Sequence, residues 1–157
     1  MVRKSKTKEK ILERYTYVCP VCFGNLDECT CKLAPNHLIQ IDRNFYPIIK
    51  KLNRKGHKTF GCCEGHWDGE NNRHSGVLDL ILVTSNPYKR DTDFDYCSSL
   101  PEVFKGKSHN NNLTHIGYYY GKDLDTKEKF EEVKMQRLAE LEKWVDGLED
   151  RSDLKGI

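Results

Sequence analysis

Four of the seven cysteines fall in one short stretch, "CPVCFGNLDECTC". Cys19 and Cys22 are spaced C-x2-C, and Cys29 and Cys31 are spaced C-x-C. Zinc takes four ligands in a tetrahedron, and thiolates at about 2.3 Å suit it. A C-x2-C turn brings two sulfurs together while the backbone N–H groups between them point at the thiolates. Pro20 and Gly24 suit such a tight knuckle. A lone C-x-x-C pair is also the pattern of a redox dithiol, but the second pair nearby argues for Zn2+ held by Cys19, Cys22, Cys29 and Cys31. His37 is the alternative to one of the C-x-C pair. A closed site of this kind does no chemistry. It contributes folding energy on the order of 10 kcal/mol to a segment too short to bury a core.

The second stretch with chemical potential is "KTFGCCEGHWDGENNRH", from Lys58 to His74. Adjacent residues of a strand point to opposite faces, so Cys62 and Cys63 are expected to do different work. Cys63 opens the "CEGH" turn and is the one expected to reach the loop. Gly65 lets the chain turn tightly or lets a ligand approach the backbone. Three kinds of chemistry are open here. A second metal ion would take Cys63, His66 and His74, with Cys97, His109 or His115 from elsewhere. A nucleophilic thiol would pair Cys63 with His66 as base. A ligand cradle would use turn N–H groups, the cations Lys58, Arg73 and His74, and Trp67 as a stacking surface. The cradle is the leading expectation, with Lys58, Thr59, Cys63, Glu64, Gly65, His66, Trp67, Arg73 and His74 as ligand-binding residues. A phosphorylated nucleotide-type compound is its natural ligand. The bland alternative is a turn whose Cys, His and Trp only pack.

Helices and strands must hold these groups in place. Ile41, Phe45, Ile48 and Leu52 step by four, three and four, which predicts a helix over 43–55 with Asp42 as N-cap and Gly56 as stop. "HKTFGC" reads as a strand. "GVLDLILVT" is nearly continuous apolar and reads as a strand buried on both faces, with Asp79 in need of a partner. Residues 85–112 read as a long loop with a short helix near "SSLPEVFKG", and "LTHIGYYYG" as a third strand whose tyrosines alternate faces. An apolar stripe of Phe130, Val133, Leu138, Leu141, Val145 and Leu148 predicts a helix from 126 to 149, opened by an Asp125–Glu128 capping box. The expected fold is α/β in a loose sense, or α+β: a small sheet with packed helices and an N-terminal zinc knuckle. Residues 1–36 are expected as a basic segment plus knuckle, and 37–157 as the α/β domain ending in the long amphipathic helix.

The chain has 157 residues, 37% hydrophobic and 32% charged, enough for one modest core. No apolar run is long enough to cross a bilayer, and the basic N-terminus lacks the apolar stretch of a secretory signal. A cytoplasmic protein with no membrane partner is expected, and an odd cysteine count there favours metal or a working thiol over disulfides. Charge is uneven. Residues 1–58 carry 13 Lys/Arg against 5 Asp/Glu, a net +8, and residues 59–157 carry 13 against 19, a net −6. An anionic partner would therefore meet the front, where Arg3, Lys4, Lys6, Lys8, Lys10 and Arg14 lie. The C-terminal stripe leaves room for a homo-oligomer.

The blocks "CPVC…ECTC" and "LIQIDRNFYPIIKKLNRKGHKTFGCCEGH" resemble a family of small zinc-knuckle proteins of Gram-positive bacteria and their phages, over residues 17–68. That resemblance implies a phage accessory role, including interference with nucleotide-signalled defence by sequestration. A weaker likeness runs to the wybutosine-pathway tRNA methyltransferases, whose T-x-x-S-C-S-G-R is matched by Thr59, Cys63 and Gly65. Cys62, Glu64 and His66 depart from it. The expected function is a zinc-stabilised binding protein for a nucleotide-type small molecule or RNA. The alternatives are a nucleotide- or RNA-modifying enzyme using the CCEGH loop and a zinc-containing nucleic-acid-binding module.

Overall fold

The computed structural model describes residues 14–31, 38–84, 94–109 and 112–152. Two strands, β1 (Tyr15–Val18) and β2 (Ile39–Asp42), pair antiparallel, so Tyr15 stands opposite Asp42. A 3-10 turn (Arg43–Phe45) leads into helix α1 (Tyr46–Arg54). The helix expected over 43–55 is therefore present, with its first turn tightened and Pro47 tolerated near its start. It ends at Gly56, whose φ is +83°. The His57 N–H reaches the Leu52 carbonyl (2.9 Å) and the Gly56 N–H the Asn53 carbonyl (3.1 Å), the paired bonds of a Schellman stop.

Strand β3 (Thr59–Cys63) follows, then a hairpin of β4 (Trp67–Asp68) and β5 (Arg73–His74). Next come β6 (Val77–Val83), β7 (Lys105–Ser108), β8 (Leu113–Tyr119) and helix α2 (Lys127–Asp146). The main sheet has four strands in the order β3-β6-β8-β7, with every neighbour antiparallel. The fold is α+β, with the cysteine knuckle near its N-terminus.

Both helices lie against one face of this sheet. Leu78, Leu80 and Leu82 of β6 and Ile116 of β8 are fully buried there, with Phe45, Ile48 and Leu52 of α1 and Phe130, Leu141 and Val145 of α2. The helices are tied end to end. Lys55 Nζ donates to the carbonyls of Val145, Asp146 and Leu148 at 2.8–3.0 Å, a cation on the C-terminal dipole of α2. His57 is buried between the Tyr96 hydroxyl (3.0 Å) and the Glu149 carbonyl (2.6 Å).

Three expectations change. β6 is not buried on both faces: its residues alternate buried and half-buried, because α1 and α2 cover only one side. Residues 94–109 are not simply loop. Tyr96 and Phe104 are buried in the core, the stretch from Ser98 to Phe104 forms turns and not the expected short helix, and β7 extends the sheet. The cap of α2 is Thr126, whose hydroxyl accepts from the Lys129 N–H, while the Asp125 carboxylate pairs with Lys129 Nζ instead (2.9 Å). Residues 85–93, 1–13 and His37 lie outside the described residues. Among the described residues no helix is long and apolar enough to cross a membrane.

Candidate functional site

The sulfurs of Cys19, Cys22, Cys29 and Cys31 all lie within 4.8 Å of one another. Four thiolates at 2.3 Å from one zinc would stand about 3.8 Å apart, so the cluster is a tetrathiolate site of the kind that holds Zn2+. The backbone builds it as the spacing requires. The N–H groups of Val21, Gly24 and Cys31 point at the sulfurs of Cys19, Cys22 and Cys29, each at 3.4 Å. Phe23 takes a left-handed φ of +58° to close the first knuckle. Asn25 then turns the chain toward the second pair by accepting from the N–H groups of Asp27 and Glu28.

The crowding of four sulfurs favours a cation among them. N–H donation, chiefly at Cys22, lowers the Cys19 thiol to about 7, whereas Cys31 is pushed up to about 12 by its hydrogen bond to Cys22 and by burial. A divalent ion would offset the repulsion between neighbouring thiolates. The knuckle is anchored to α1. Glu28 accepts from the Tyr46 hydroxyl (2.8 Å) and from Lys50 Nζ (2.6 Å), and the Asn25 N–H donates to Tyr46 (3.1 Å).

A second constellation forms where β2 ends beside β3. Asp42, Cys63 and His66 each place one ligand atom within 4.8 Å of the other two. His66 Nε2 is 3.1 Å from Asp42 Oδ2, which also accepts from the Glu64 N–H (2.8 Å). Burial opposes the charge on His66, but hydrogen bonds to Asp42 and Cys63 outweigh it and raise the imidazole to about 9. Burial likewise opposes the Asp42 carboxylate, and the bonds from His66 and Glu64 reverse that and lower it. Tyr15 sets its ring 6.2 Å from that of His66, and the charge of Arg14 acts on both Asp42 and His66.

The turn that carries this group is closely packed. Gly65 has a φ of +82°, and a Cβ there would meet the Tyr120 ring at 2.6 Å and the Val77 carbonyl at 3.0 Å. Gly65 thus serves a tight, filled turn and offers no approach on that side. The Tyr120 hydroxyl donates to the Glu64 carbonyl (2.6 Å). The Glu64 carboxylate is buried and satisfied by Lys134 Nζ (3.1 Å), Asn44 Nδ2 (3.0 Å) and the Asn44 N–H (3.0 Å).

The nine residues expected to bind a ligand do not converge. Cys63 and His66 meet, and Gly65 shapes their turn. Glu64 is committed to Lys134. Trp67 packs toward Phe130, and His74 stacks on Phe130 at 5.5 Å and bonds the Gly121 carbonyl (2.9 Å). Thr59 starts β3 with Lys58 just before it, at the far end from Cys63, and the Thr59 hydroxyl is taken by Asn53 (2.9 Å). Arg73 is exposed on the small hairpin. Of the expected partners for a second metal, His109 and His115 lie together (4.7 Å between rings) near Asp79, and the Cys97 sulfur faces Gly106. Cys62 faces the core, where burial raises its thiol to about 12.

The helix pattern makes Asp42 an N-cap, but its side chain makes no cap bond and goes to the Glu64–His66 turn. The signal for that role is faint: an acid just before a helix and a C-x2-H twenty residues on.

The face of the sheet away from the helices carries Val77, Asp79, Ile81 and Val83 of β6, with Gly117, His115 and Leu113 opposite the last three. Tyr119, opposite Val77, is 66% exposed at one corner, and Phe60, at the bulge of edge strand β3 between Thr59 and Gly61, is 69% exposed. Lys105 and Lys107 are exposed on β7, with Lys105 Nζ 6.0 Å from the Tyr119 ring centre. Cys63, opposite Asp79, puts the Asp42–Cys63–His66 group at the edge of this face.

No protein-family profile, curated protein or solved structure matches the chain. The likenesses read from the CPVC…ECTC and CCEGH blocks therefore bring no function with them, and only the geometry of the chain bears on what it does.

Proposed function

We propose that this is a zinc-stabilised binding protein whose uncovered sheet face takes nucleotide-type ligands, with unpaired bases stacked on Phe60 and Tyr119. The supporting observation is the pairing of two highly exposed aromatic rings with lysines on a face that no element covers among the described residues. An exposed Phe or Tyr on a sheet gains nothing from water. A base face both covers it and adds about 1–3 kcal/mol of stacking. Strand spacing sets the two rings on the order of 15–20 Å apart, a span over which a sheet can stack two or three bases. Lys105 Nζ is 6.0 Å from the Tyr119 ring centre, Lys107 stands opposite His115, and Lys58 is two residues from Phe60, so cations are available along the sheet for phosphates. Asp79 and His115, 3.9 Å apart at the centre, are the polar groups for base edges.

In this reading the tetrathiolate is structural, and binding rather than turnover is the work. The test is fluorescence titration with a labelled oligouridylate and, in parallel, with a mononucleotide. Phe60→Ala with Tyr119→Ala should weaken oligonucleotide binding about 10-fold or more, and the wild type should lose affinity steeply as salt rises. A mononucleotide bound as tightly as the oligomer would move the ligand to a single pocket. A ligand recovered chemically altered would favour a modifying enzyme. Equal binding by wild type and double variant would remove the sheet face from the function.

A further inference from the structure

The geometry points to a second metal site: we infer that Asp42, Cys63 and His66 bind a divalent transition ion, Zn2+ by its donor set, with one coordination position left open. Zinc is held by thiolate, imidazole and carboxylate together, and three protein ligands plus one exchangeable position distinguish working zinc sites from closed structural ones. The three donors come from separate places, the end of β2, the end of β3 and the turn after it. Their ligand atoms still lie within 4.8 Å of one another.

Three features favour an ion over a simple hydrogen-bonded cluster. A single ring nitrogen of His66 is close to both the Cys63 sulfur and the Asp42 carboxylate. An acid–base triad would instead place nucleophile and carboxylate at opposite ring nitrogens. The carboxylate is held in place by the Glu64 N–H at 2.8 Å, the kind of outer bond that orients a metal ligand. The turn itself is fixed by the Glu64–Lys134–Asn44 network and by Tyr120 against Gly65, so little ordering remains to oppose ion capture.

Charge balance agrees. A thiolate, a carboxylate and a neutral imidazole around Zn2+ form a neutral centre. The neighbouring Arg14, whose charge reaches both Asp42 and His66, then favours water, hydroxide or a small oxyanion in the fourth position. Cys63 lies opposite Asp79 at the rim of the uncovered sheet face, so an oxygen of a ligand lying on that face is the natural occupant. The ion site does not depend on that occupant.

The test is metal content of the full chain after dialysis against dilute zinc, with circular dichroism as the control for folding. Two equivalents per chain are expected in the wild type, and one in His66→Ala and in Asp42→Ala. One equivalent in the wild type, or two retained in both variants, overturns the site. Cobalt titration of the metal-free wild type covers the case in which the variants fail to fold. The first equivalent should bring strong sulfur-to-cobalt absorption, and the second should add about a quarter as much from its single thiolate. Saturation at one equivalent overturns the site as well. Neither readout involves nucleotide, so failure here leaves the sheet-face function standing, and failure there leaves this site standing.

Discussion

At the scale of single residues, the side chain with most depending on it is Lys134. It is 4% exposed, and its ammonium is shared between the buried Glu64 carboxylate (3.1 Å) and Glu131 (2.8 Å). A buried pair adds little net stability over an apolar pair of the same shape, but removing one partner strands the other. Lys134→Met should therefore cost about 3–5 kcal/mol in urea unfolding. Lys134→Met combined with Glu64→Gln should recover part of that loss, since no buried charge is left unpaired. A double variant as unstable as the single one would mean that the lysine acts through packing of its stem. The same pair aims the Cys63–His66 turn, because Glu64 also holds Asn44 through both of its oxygens. Such a role is not legible in the sequence. Lys134 sits 70 residues from Glu64, and in the helix pattern it is simply a polar residue near an apolar stripe. Asp42 escapes for the same reason. Its local setting, just before a helix, has a sufficient local explanation, and only the approach of β3 gives its carboxylate another use.

At the scale of elements, the legible features are those that depend on neighbours in sequence. The knuckle is legible because all four sulfurs come from one short segment whose N–H groups point inward by spacing alone. The two long helices are legible from their apolar periods, and α1 also from the glycine that stops it. β7 is not legible, since "KGKS" has neither apolar nor β-branched residues and is a strand only because β8 lies beside it. The one-sided burial of β6 is hidden by Val77, Ile81 and Val83, apolar residues on the face that the helices leave uncovered. The knuckle and α1 share the Tyr46 and Lys50 bonds to Glu28, and β1 pairs with β2. Zinc removal should therefore be felt first there. With a chelator, amide exchange is expected to rise through 15–31 and 39–42, while β6, β8 and α2 keep their protection. Uniform loss of protection would mean that the tetrathiolate supports the whole core. No change would mean that it holds no ion.

At the scale of the molecule, the helices cover one side of a four-stranded sheet, and no element among the described residues covers the other, where Tyr119 is exposed with Lys105 beside it and Lys107 further along β7. The tetrathiolate lies outside this sheet and stabilises the strand pair that carries Tyr15 and Asp42 to the rim. In the proposed reading the labour divides between a closed metal site that holds structure, a rim cluster of Asp42, Cys63 and His66, and an open sheet face for the ligand. The most direct measurement is ultraviolet cross-linking of an oligouridylate to the intact zinc-loaded protein, with the linked peptides identified by mass spectrometry. Cross-links are predicted in the peptides bearing Phe60 and Tyr119. Cross-links confined to the cysteine knuckle or the basic N-terminal segment would contradict the sheet-face account.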